Sequence, residues 1–174
     1  MMSKNNPVVS LTPIGTIRSP FTDPVGMPIQ PTGARGVRGT IAINPAFRAG
    51  LRDLGGFSRL ILIYSFHQIT GHELEVIPYL DTVPHGIFAT RAPKRPNAIG
   101  LSVVRLVSVD RLELTIEDVD VLDGTPLLDI KPYVPAFDCF PDETSGWYGD
   151  CSSRVPGVRA DCRFHEKCVE EESS

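Results

Sequence analysis

Short apolar runs separated by turns dominate the middle of the chain. Within residues 111–121, Leu112, Leu114 and Ile116 alternate with polar residues, which is typical of a strand with one face in water. Residues 60–66 are almost continuously apolar, so this segment is predicted to be a strand buried on both faces. The same reasoning predicts further strands at residues 37–43, 86–90, 102–109 and 127–133, with a tight turn near Asp110.

One helix is predicted between the first two long strands, and it is expected to pack against the sheet. Its markers are Asn44 as the N-cap, Pro45 at the first helical position, Phe47, Leu51 and Leu54 at helical spacing, and Gly55 or Gly56 at the end. These residues therefore favour a single short amphipathic helix.

Many short strands and little helix predict a mainly β fold, although periodicity alone does not choose between a sandwich and a barrel. Pro132 is expected to confine the last strand to a sheet edge or a bulge. We expect one domain over residues 1–138, followed by an irregular tail over residues 139–174 that wraps a dimer or is partly mobile. Trp147 is expected to anchor this tail, with stacking on a nucleic-acid base as the alternative.

Charge and composition limit the classes of function. The chain has 174 residues and a net charge of −4, so its overall charge does not indicate nucleic-acid binding. Any RNA contact must use local clusters, such as Arg91, Lys94 and Arg95 together with Arg35 and Arg38. The sequence has no apolar run long enough to span a bilayer and no secretory signal pattern, which predicts a cytoplasmic protein without a membrane partner.

All four cysteines lie near the C-terminus, at Cys139, Cys151, Cys162 and Cys168. They lack the short Cys-x-x-Cys spacing of most zinc sites, so free thiols are favoured over a disulfide or a metal site, and no metal is expected. His165 lies three residues from both Cys162 and Cys168, which leaves a metal site as the alternative.

Residues 91–100 read Arg-Ala-Pro-Lys-Arg-Pro-Asn-Ala-Ile-Gly. Pro93 and Pro96 restrict the backbone and disfavour helix, so a rigid, exposed loop is predicted. Its fixed positive charges suit the binding of a carboxylate or phosphate, since little entropy is lost on docking. The alternative is a stiff surface loop whose arginines are only solvated.

This loop and a second block, Asp-Gly-Thr-Pro-Leu-Leu-Asp-Ile-Lys-Pro-Tyr at residues 123–133, resemble the paired signatures of the TrmO (YaeB-like, TsaA-like) family. Residues 14–20, the turn at Gln30 and the His-Gln step at residues 67–68 match in the same order. The resemblance covers residues 14–138. Ala92 and Ala98 depart from the family pattern, but neither change removes a charge.

The resemblance implies a small single-sheet β-barrel that forms a homodimer, with the active site near the subunit junction. It also implies a methyltransferase that uses S-adenosylmethionine, with Arg91 binding the methionine carboxylate as a planar bidentate partner. The chain has no strand-linked Gly-x-Gly-x-x-Gly, so a doubly wound cofactor fold is not expected. The cofactor residues implied are Pro31, Thr32, Gly33, His67, Gln68, Arg91, Leu101, Asp123, Gly124, Thr125 and Pro126.

Two of these assignments have structural alternatives. His67 could be a satisfied polar residue at a strand end. Asp123 and Gly124 could form an ordinary hairpin turn, because Asp-Gly is a common turn pair.

In the family the methyl acceptor is the exocyclic N6 of threonylcarbamoyladenosine at position 37 of tRNA, beside the anticodon. The lone pair of that nitrogen is delocalised, so methyl transfer requires alignment and a proton acceptor. Asp129, Lys131 and Tyr133 alternate along one predicted strand and are proposed as base or orienting group, anion partner and stacking ring. An ion pair between Asp129 and Lys131 on the surface is the alternative.

Lys94, Arg95 and Asn97 are predicted to contact the tRNA anticodon loop. Longer members of the family continue into a further C-terminal domain that this chain does not match, so two other functions stay open. One is methyl transfer to a different acceptor, and the other is a non-catalytic module that binds S-adenosylmethionine or RNA.

Overall fold

The structure is a computed structural model that describes residues 9–149 and 151–164. Six strands close into one antiparallel barrel in the order β1-β2-β7-β6-β3-β8. They are β1 (Gly15–Arg18), β2 (Arg38–Ile43), β3 (Arg59–Ser65), β6 (Ile99–Asp110), β7 (Glu113–Glu117) and β8 (Thr125–Pro132). β4 (Glu75–Val76) and β5 (His85–Gly86) form a separate two-stranded sheet. The prediction of a mainly β, single-sheet barrel is confirmed.

Alternate residues of the barrel strands fill its interior. In β7, Leu114 and Ile116 are completely buried while Glu113 is exposed, as the period-two pattern predicts. In β3, Leu60 and Leu62 are likewise completely buried. Each such side chain contributes about 1.5–3 kcal/mol when removed from water, so this core accounts for much of the stability of the barrel.

Pro132 ends β8 at a point where that strand has one neighbour. β8 pairs with β3 along most of its length, with Leu60 opposite Pro132, but it pairs with β1 only from Thr125 to Leu127. A register shift also interrupts the β3 pairing beside Tyr64. Pro132 therefore lies at an edge position, as expected, although the strand belongs to a closed barrel.

The predicted amphipathic helix is wrong in type. The segment forms two 3₁₀ helices, Pro45–Leu51 and Leu54–Gly56, separated by Asp53 in the left-handed region with φ of 65°. Asn44 caps the first one as predicted, because its side chain accepts a 3.1 Å hydrogen bond from Ala46 N. Because this break interrupts the helical repeat, the apolar side chains do not share one face. Leu54 is buried, but Phe47 remains 37% exposed.

The predicted strand at residues 86–90 is also wrong. Only His85–Gly86 is extended, because its partner strand is two residues long, and the chain then turns through a 3₁₀ helix at Ile87–Ala89. Ile87 is buried at this turn, and its amide donates a 2.9 Å hydrogen bond to Leu74 O. The turn leads directly into the cationic loop, the name used below for residues 91–97.

The C-terminal segment, here residues 139–164, is irregular but packed. It follows the α-helix α1 (Pro135–Asp138) and contains the 3₁₀ helices Gly146–Tyr148 and Ser152–Gly157. Cys151 and Val155 are buried with Leu80 in a cluster outside the barrel. Ala160 N donates a 2.8 Å hydrogen bond to Met27 O, which fixes the segment to the loop after β1.

Cys139, Cys151 and Cys162 are free thiols, whereas Cys168 and His165 lie outside the described residues. Over residues 9–149 and 151–164, no group of three or more histidine, cysteine, aspartate or glutamate side chains is arranged to hold a metal ion. In the same residues, no helix has the length and apolar character needed to cross a bilayer.

Candidate functional site

A cavity of about 380 Å³, called here the main cavity, opens at one end of the barrel. β3 ends there at Ser65, while β6 and β8 begin there at Ile99 and Thr125, because β3 runs antiparallel to both. The volume falls in the range of about 300–1,000 Å³ that is usual for small-molecule sites. Polar lining residues include Gln30, Tyr64, His67, Gln68, Thr90, Arg91, Arg95, Asp120, Thr125 and Tyr148.

The C-terminal segment supplies one wall of the main cavity, through Trp147, Tyr148 and Phe164. The Trp147 ring stacks between His85 at 4.4 Å and Tyr148 at 3.9 Å, measured between ring centroids. Its Nε1 donates a 2.8 Å hydrogen bond to Ala89 O. Both faces of the indole are therefore covered by protein, which favours the anchoring role of Trp147 over stacking on a base.

Arg91 stands at the rim of the main cavity with an exposed side chain. Its Nη1 donates a 2.8 Å hydrogen bond to Gln30 Oε1, and its backbone amide donates to Tyr148 Oη at 3.2 Å. The guanidinium has further N–H donors with which to bind a carboxylate. Three separate parts of the chain thus meet at this residue.

The rest of the cationic loop is engaged mainly with the protein. Arg95 Nη1 donates to Ile87 O at 3.0 Å and to Thr90 O at 2.9 Å. Lys94 Nζ forms a 2.8 Å ion pair with Glu73, and Asn97 is exposed. Of the three residues predicted to contact RNA, only Arg95 lines the main cavity, and their RNA contacts stay a prediction.

Asp123 and Gly124 form the turn that leads into β8. Gly124 has a φ of 76°, and its amide donates to Ile17 O at 2.9 Å. The Asp123 carboxylate accepts a 3.1 Å hydrogen bond from Ser19 N and pairs with Arg18 at 3.4 Å. These contacts tie the turn to the end of β1.

Within this block only Thr125 lines the main cavity, while Pro126 pairs with Thr16 of β1. The early block at residues 14–20 meets this block directly, because Ser19 N donates to Asp123. The two blocks that the sequence separates by about a hundred residues are therefore neighbours in space.

Thr125 selects the tautomer of the neutral His67 ring. Thr125 Oγ1 donates its one hydrogen to Leu122 O at 2.7 Å, and it lies 3.3 Å from His67 Nδ1. Since that hydroxyl can then only accept, His67 Nδ1 carries a hydrogen and Nε2 is the acceptor of the neutral ring. His67 and Gln68 both line the main cavity, at the end of β3.

A buried polar chain that sequence reasoning missed lies in the floor of the main cavity. Ser102 Oγ donates a 2.6 Å hydrogen bond to Asp120 Oδ1 and lies 3.1 Å from Tyr64 Oη. Because the serine hydrogen is used on Asp120, Tyr64 must donate to Ser102. Tyr64 and Ser102 are 5% and 1% exposed, while Asp120 is half-buried and lines the cavity with Tyr64.

Burial raises the pKa of Asp120 to about 7, against the opposing effects of the Ser102 hydrogen bond and the Arg91 charge. Burial also raises the pKa of Tyr64, which keeps that hydroxyl protonated. The available sequence signal was the position of Asp120 between Val119 and Val121, two residues that are buried in the structure. An acid in such an apolar stretch is a candidate for an inward-facing group.

Pro31, Thr32 and Gly33 form a 3₁₀ helix beside the main cavity rather than in its lining. Thr32 and Gly33 line a second depression against Ser152 of the C-terminal segment. Gln30, just before the helix, is the residue of this turn that lines the main cavity and meets Arg91. Leu101 also lines the main cavity and is 48% exposed.

Asp129, Lys131 and Tyr133 are not among the residues that line the main cavity. In the register of β8, Asp129 lies opposite Ile63 and Lys131 opposite Ile61, on the outer surface of the barrel. Asp129 and Lys131 form the 2.8 Å ion pair that was the alternative interpretation. The structure thus separates these three residues from the cofactor residues, and their catalytic role stays a prediction.

The lining of the main cavity fits S-adenosylmethionine by the chemistry of its donors. Arg91 offers a cation for the carboxylate, and the half-buried Asp120 offers an anion on the floor for a positively charged group. Gln30 and Gln68 offer amide donors and acceptors, while Leu80, Leu122 and Phe164 offer apolar surface for a purine ring.

Comparison with known proteins identifies close relatives. The model of the tRNA-methyltransferase O N-terminal domain matches residues 16–139. A probable S-adenosyl-L-methionine-binding protein of Pyrococcus abyssi is 49% identical over 157 residues, which are 90% of this chain and 85% of that protein. The tRNA (adenine(37)-N6)-methyltransferase of Escherichia coli is 35% identical over 144 residues, covering 77% of this chain and 61% of the relative.

A solved structure has the same fold. The crystal structure of TrmO from Pseudomonas aeruginosa superposes with a TM-score of 0.68 at 41% identity, covering 80% of this chain and 62% of that one. The chain thus spans most of the archaeal relative but under two thirds of the two bacterial proteins.

Proposed function

Because the chain belongs to the family of the tRNA-methyltransferase O N-terminal domain, we propose that it transfers a methyl group from S-adenosylmethionine to the N6 atom of an adenosine in tRNA. In the most specific form of this proposal, the methyl acceptor is the threonylcarbamoylated adenosine at position 37 of tRNA, beside the anticodon. The Escherichia coli relative is a tRNA (adenine(37)-N6)-methyltransferase, which supports both the adenine acceptor and its position in tRNA. The threonylcarbamoyl group is inferred from the sequence signatures of the family.

The main cavity is the proposed cofactor site, and one observation supports this most strongly. Residues from four distant sequence blocks, represented by Gln30, His67, Arg91 and Thr125, line one cavity. S-adenosylmethionine would supply a methyl group already activated on a sulfonium. Arg91 would bind its carboxylate, and the protein would contribute alignment and proton acceptance.

The tRNA would approach from the open side of the main cavity, beside the cationic loop. Arg91 and Asn97 are exposed there, and Lys94 pairs with a glutamate that is itself about half exposed. Phosphate contacts from such residues supply affinity and position rather than base identity. An overall charge of −4 makes this local cluster the best candidate for the RNA surface.

We further propose that the protein acts as a cytoplasmic homodimer. The outer face of β6 and β3 carries Leu101 and Ile99, which are 48% and 39% exposed, beside the half-buried Ile63. An apolar surface of this kind suits a second copy of the chain. Because Leu101 also lines the main cavity, the interface would adjoin the cofactor site.

Isothermal calorimetry with S-adenosylmethionine tests the cofactor site. Arg91→Ala should weaken binding by about 10-fold or more, since a charged hydrogen bond contributes about 1.5–3 kcal/mol. Arg48→Ala, at an exposed position on the first 3₁₀ helix after β2, is the matched control and should bind like the wild type. Equal affinity in Arg91→Ala would remove Arg91 from the site.

Nucleoside mass spectrometry tests the reaction. Purified protein is incubated with S-adenosylmethionine and threonine tRNA that carries threonylcarbamoyladenosine, and the digest should contain the N6-methylated nucleoside. Methylation of unmodified adenosine, or of another acceptor, would favour the second hypothesis. Cofactor binding without any methylated product would favour the non-catalytic module.

A further inference from the structure

The floor of the main cavity contains an acid, Asp120, whose place in the reaction goes beyond offering an anion to the cofactor. Asp120 lines the cavity, and it is joined by hydrogen bonds to Ser102 on β6 and, through that serine, to Tyr64 on β3. Neither of these two partners is exposed, and neither carries a positive charge. The carboxylate therefore has an ordered local partner but no adjoining cation within this chain of hydrogen bonds.

We infer that Asp120 is the group that accepts the proton from the methyl-acceptor nitrogen, with Ser102 and Tyr64 as its positioning residues. The inference rests on the proposed function, because it names the base for that same reaction. Asp120 replaces Asp129 as the proposed base, since Asp129 lies on the outer surface and pairs with Lys131.

With Asp120 as the proton acceptor, the atoms and charges of the methyl transfer balance. As the acceptor nitrogen forms its bond to the methyl carbon, the carbon–sulfur bond breaks and its electron pair passes to sulfur, which becomes a neutral thioether. The nitrogen loses its hydrogen as a proton, which passes to the Asp120 carboxylate and is later released to water. No oxidant, reductant or further reactant is needed.

The hydrogen-bond chain determines how the carboxylate is held. Ser102 Oγ donates to Asp120 Oδ1 and accepts from Tyr64, so both hydroxyl hydrogens point along one direction toward the acid. This arrangement stabilises the anion and fixes its orientation at the cavity surface. A free carboxylate on a mobile side chain would lack that alignment.

The surroundings also set the pH range in which the acid can act. Burial raises the pKa of Asp120 to about 7, while Ser102 and the Arg91 charge oppose that rise. Tyr64, Ser102 and Arg91 act on this carboxylate, and the other titratable groups of the cavity include His67, Tyr79, Arg95 and Tyr148. A base with a pKa near the working pH combines availability with proton affinity.

His67 is the competing base in the same cavity. Its Nε2 atom is an acceptor in the neutral ring, because Nδ1 donates to Thr125. His67 is however exposed, whereas Asp120 is half-buried and held by Ser102. The structure therefore favours Asp120, and the experiment must distinguish the two groups.

Single-turnover methylation of threonylcarbamoylated tRNA, measured from pH 5.5 to 9 at saturating cofactor, tests the inference. The wild-type rate should rise tenfold per pH unit below about pH 7 and then level off. In Asp120→Asn the rate at pH 8 should fall by about 100-fold or more, which is within the range for general base catalysis. The rise of the rate with pH below about pH 7, called here the acidic limb, should also disappear. Asp110→Asn, an exposed acid in the β6–β7 turn, is the matched control with wild-type behaviour.

Ser102→Ala tests the positioning role. Removing its hydrogen bond should raise the pKa of Asp120 further, so the acidic limb should move to higher pH while the plateau persists. Carbon-detected NMR titration of the Asp120 carboxyl provides a readout apart from activity. It should give a pKa near 7 in the wild type and a higher value in Ser102→Ala.

The outcomes separate the inference from the proposed function. No methylation by the wild type overturns the proposed function and with it the inference. Wild-type methylation with an unchanged rate and pH profile in Asp120→Asn overturns the inference alone. The inference alone is also overturned if the acidic limb disappears in His67→Gln but persists in Asp120→Asn. If Asp120→Asn folds, as judged by circular dichroism, but no longer binds S-adenosylmethionine, the aspartate is a cofactor ligand and the inference is wrong.

Discussion

The backbone amide of Arg91 donates a 3.2 Å hydrogen bond to the hydroxyl of Tyr148. The first residue belongs to the cationic loop and the second to the C-terminal segment, so this bond joins two walls of the main cavity. The loop is therefore positioned partly by residues beyond the barrel.

Tyr148→Phe should weaken the positioning of Arg91 while preserving the ring stack with Trp147. A neutral hydrogen bond contributes about 0.5–1.5 kcal/mol, so we expect the affinity for S-adenosylmethionine to fall by about 2- to 10-fold. Calorimetry measures this change. Tyr133→Phe, which alters a tyrosine outside the cavity, is the matched comparison, and an equal loss in both variants would contradict the prediction.

Asp120→Asn should stabilise the protein at alkaline pH. Burial raises the pKa of Asp120 from 3.8 to about 7, so the folded protein retains a proton that the unfolded chain loses. This contribution to stability is complete below about pH 4 and is lost as the pH rises toward 7. Asparagine avoids that loss, and its advantage should be about 2–3 kcal/mol larger at pH 8 than at pH 5.

Urea unfolding at the two pH values measures that difference in the free energy of unfolding. A stabilising change that also slows methyl transfer would mark Asp120 as a residue retained for activity rather than for folding. An advantage that does not vary between pH 5 and pH 8 would show that the carboxylate titrates normally in the folded protein.

Gly100→Ala should disturb the floor of the main cavity. A Cβ atom at residue 100 would lie 2.5 Å from Tyr64 Cζ and 2.9 Å from Phe66 Cζ, so the Tyr64 ring must move. Overpacking of this kind costs about 1–3 kcal/mol, and displacement of the ring should break the bond from Tyr64 to Ser102. Thermal unfolding measures the loss, and a crystal structure of the variant locates the ring.

Gly50→Ala is the matched control for that variant. A Cβ atom at residue 50 meets no other atom within 4 Å, so the added methyl group has room. We expect this change to be neutral or to stabilise by about 0.4–1 kcal/mol, because alanine restricts the unfolded chain. Equal destabilisation by the two substitutions would contradict the close-contact explanation.

Binding of S-adenosylmethionine should change the tryptophan fluorescence. The chain contains one tryptophan, Trp147, and its ring lies in the wall of the main cavity between His85 and Tyr148. A ligand in the cavity alters the surroundings of this ring, so titration should give a saturable change in emission. The midpoint should agree with calorimetry, and Arg91→Ala should shift it to higher concentration. A ligand that binds by calorimetry but leaves the emission unchanged would lie elsewhere.

Much of the barrel follows from the sequence because alternation is a local property. Leu114 and Ile116 point inward since neighbouring residues of a strand face opposite sides. The closure of six strands depends on pairings between distant segments, such as β1 with β8, which no local pattern specifies. The helix prediction failed because Asp53 in the left-handed region interrupts the segment, and the turns form 3₁₀ helices, whose three residues per turn do not follow the predicted spacing.

The site was predictable to the extent that its residues lie in recognisable blocks. Arg91, His67, Gln68, Leu101 and Thr125 do line the main cavity. Ser102 and Tyr148 were missed, because a serine in a strand and a tyrosine in an irregular segment have no distinctive local signal. Their importance arises from contacts made across long sequence separations.

The matched family region ends at residue 139, yet Trp147, Tyr148 and Phe164 build one wall of the cavity. The part of the chain that carries the family match therefore does not include the residues that form this wall. If the main cavity is the cofactor site, a ligand that reaches toward Phe164 would contact residues outside the family match, whereas one confined to the barrel floor would contact residues within it. Substitutions in this wall would then alter ligand selectivity without changing the barrel.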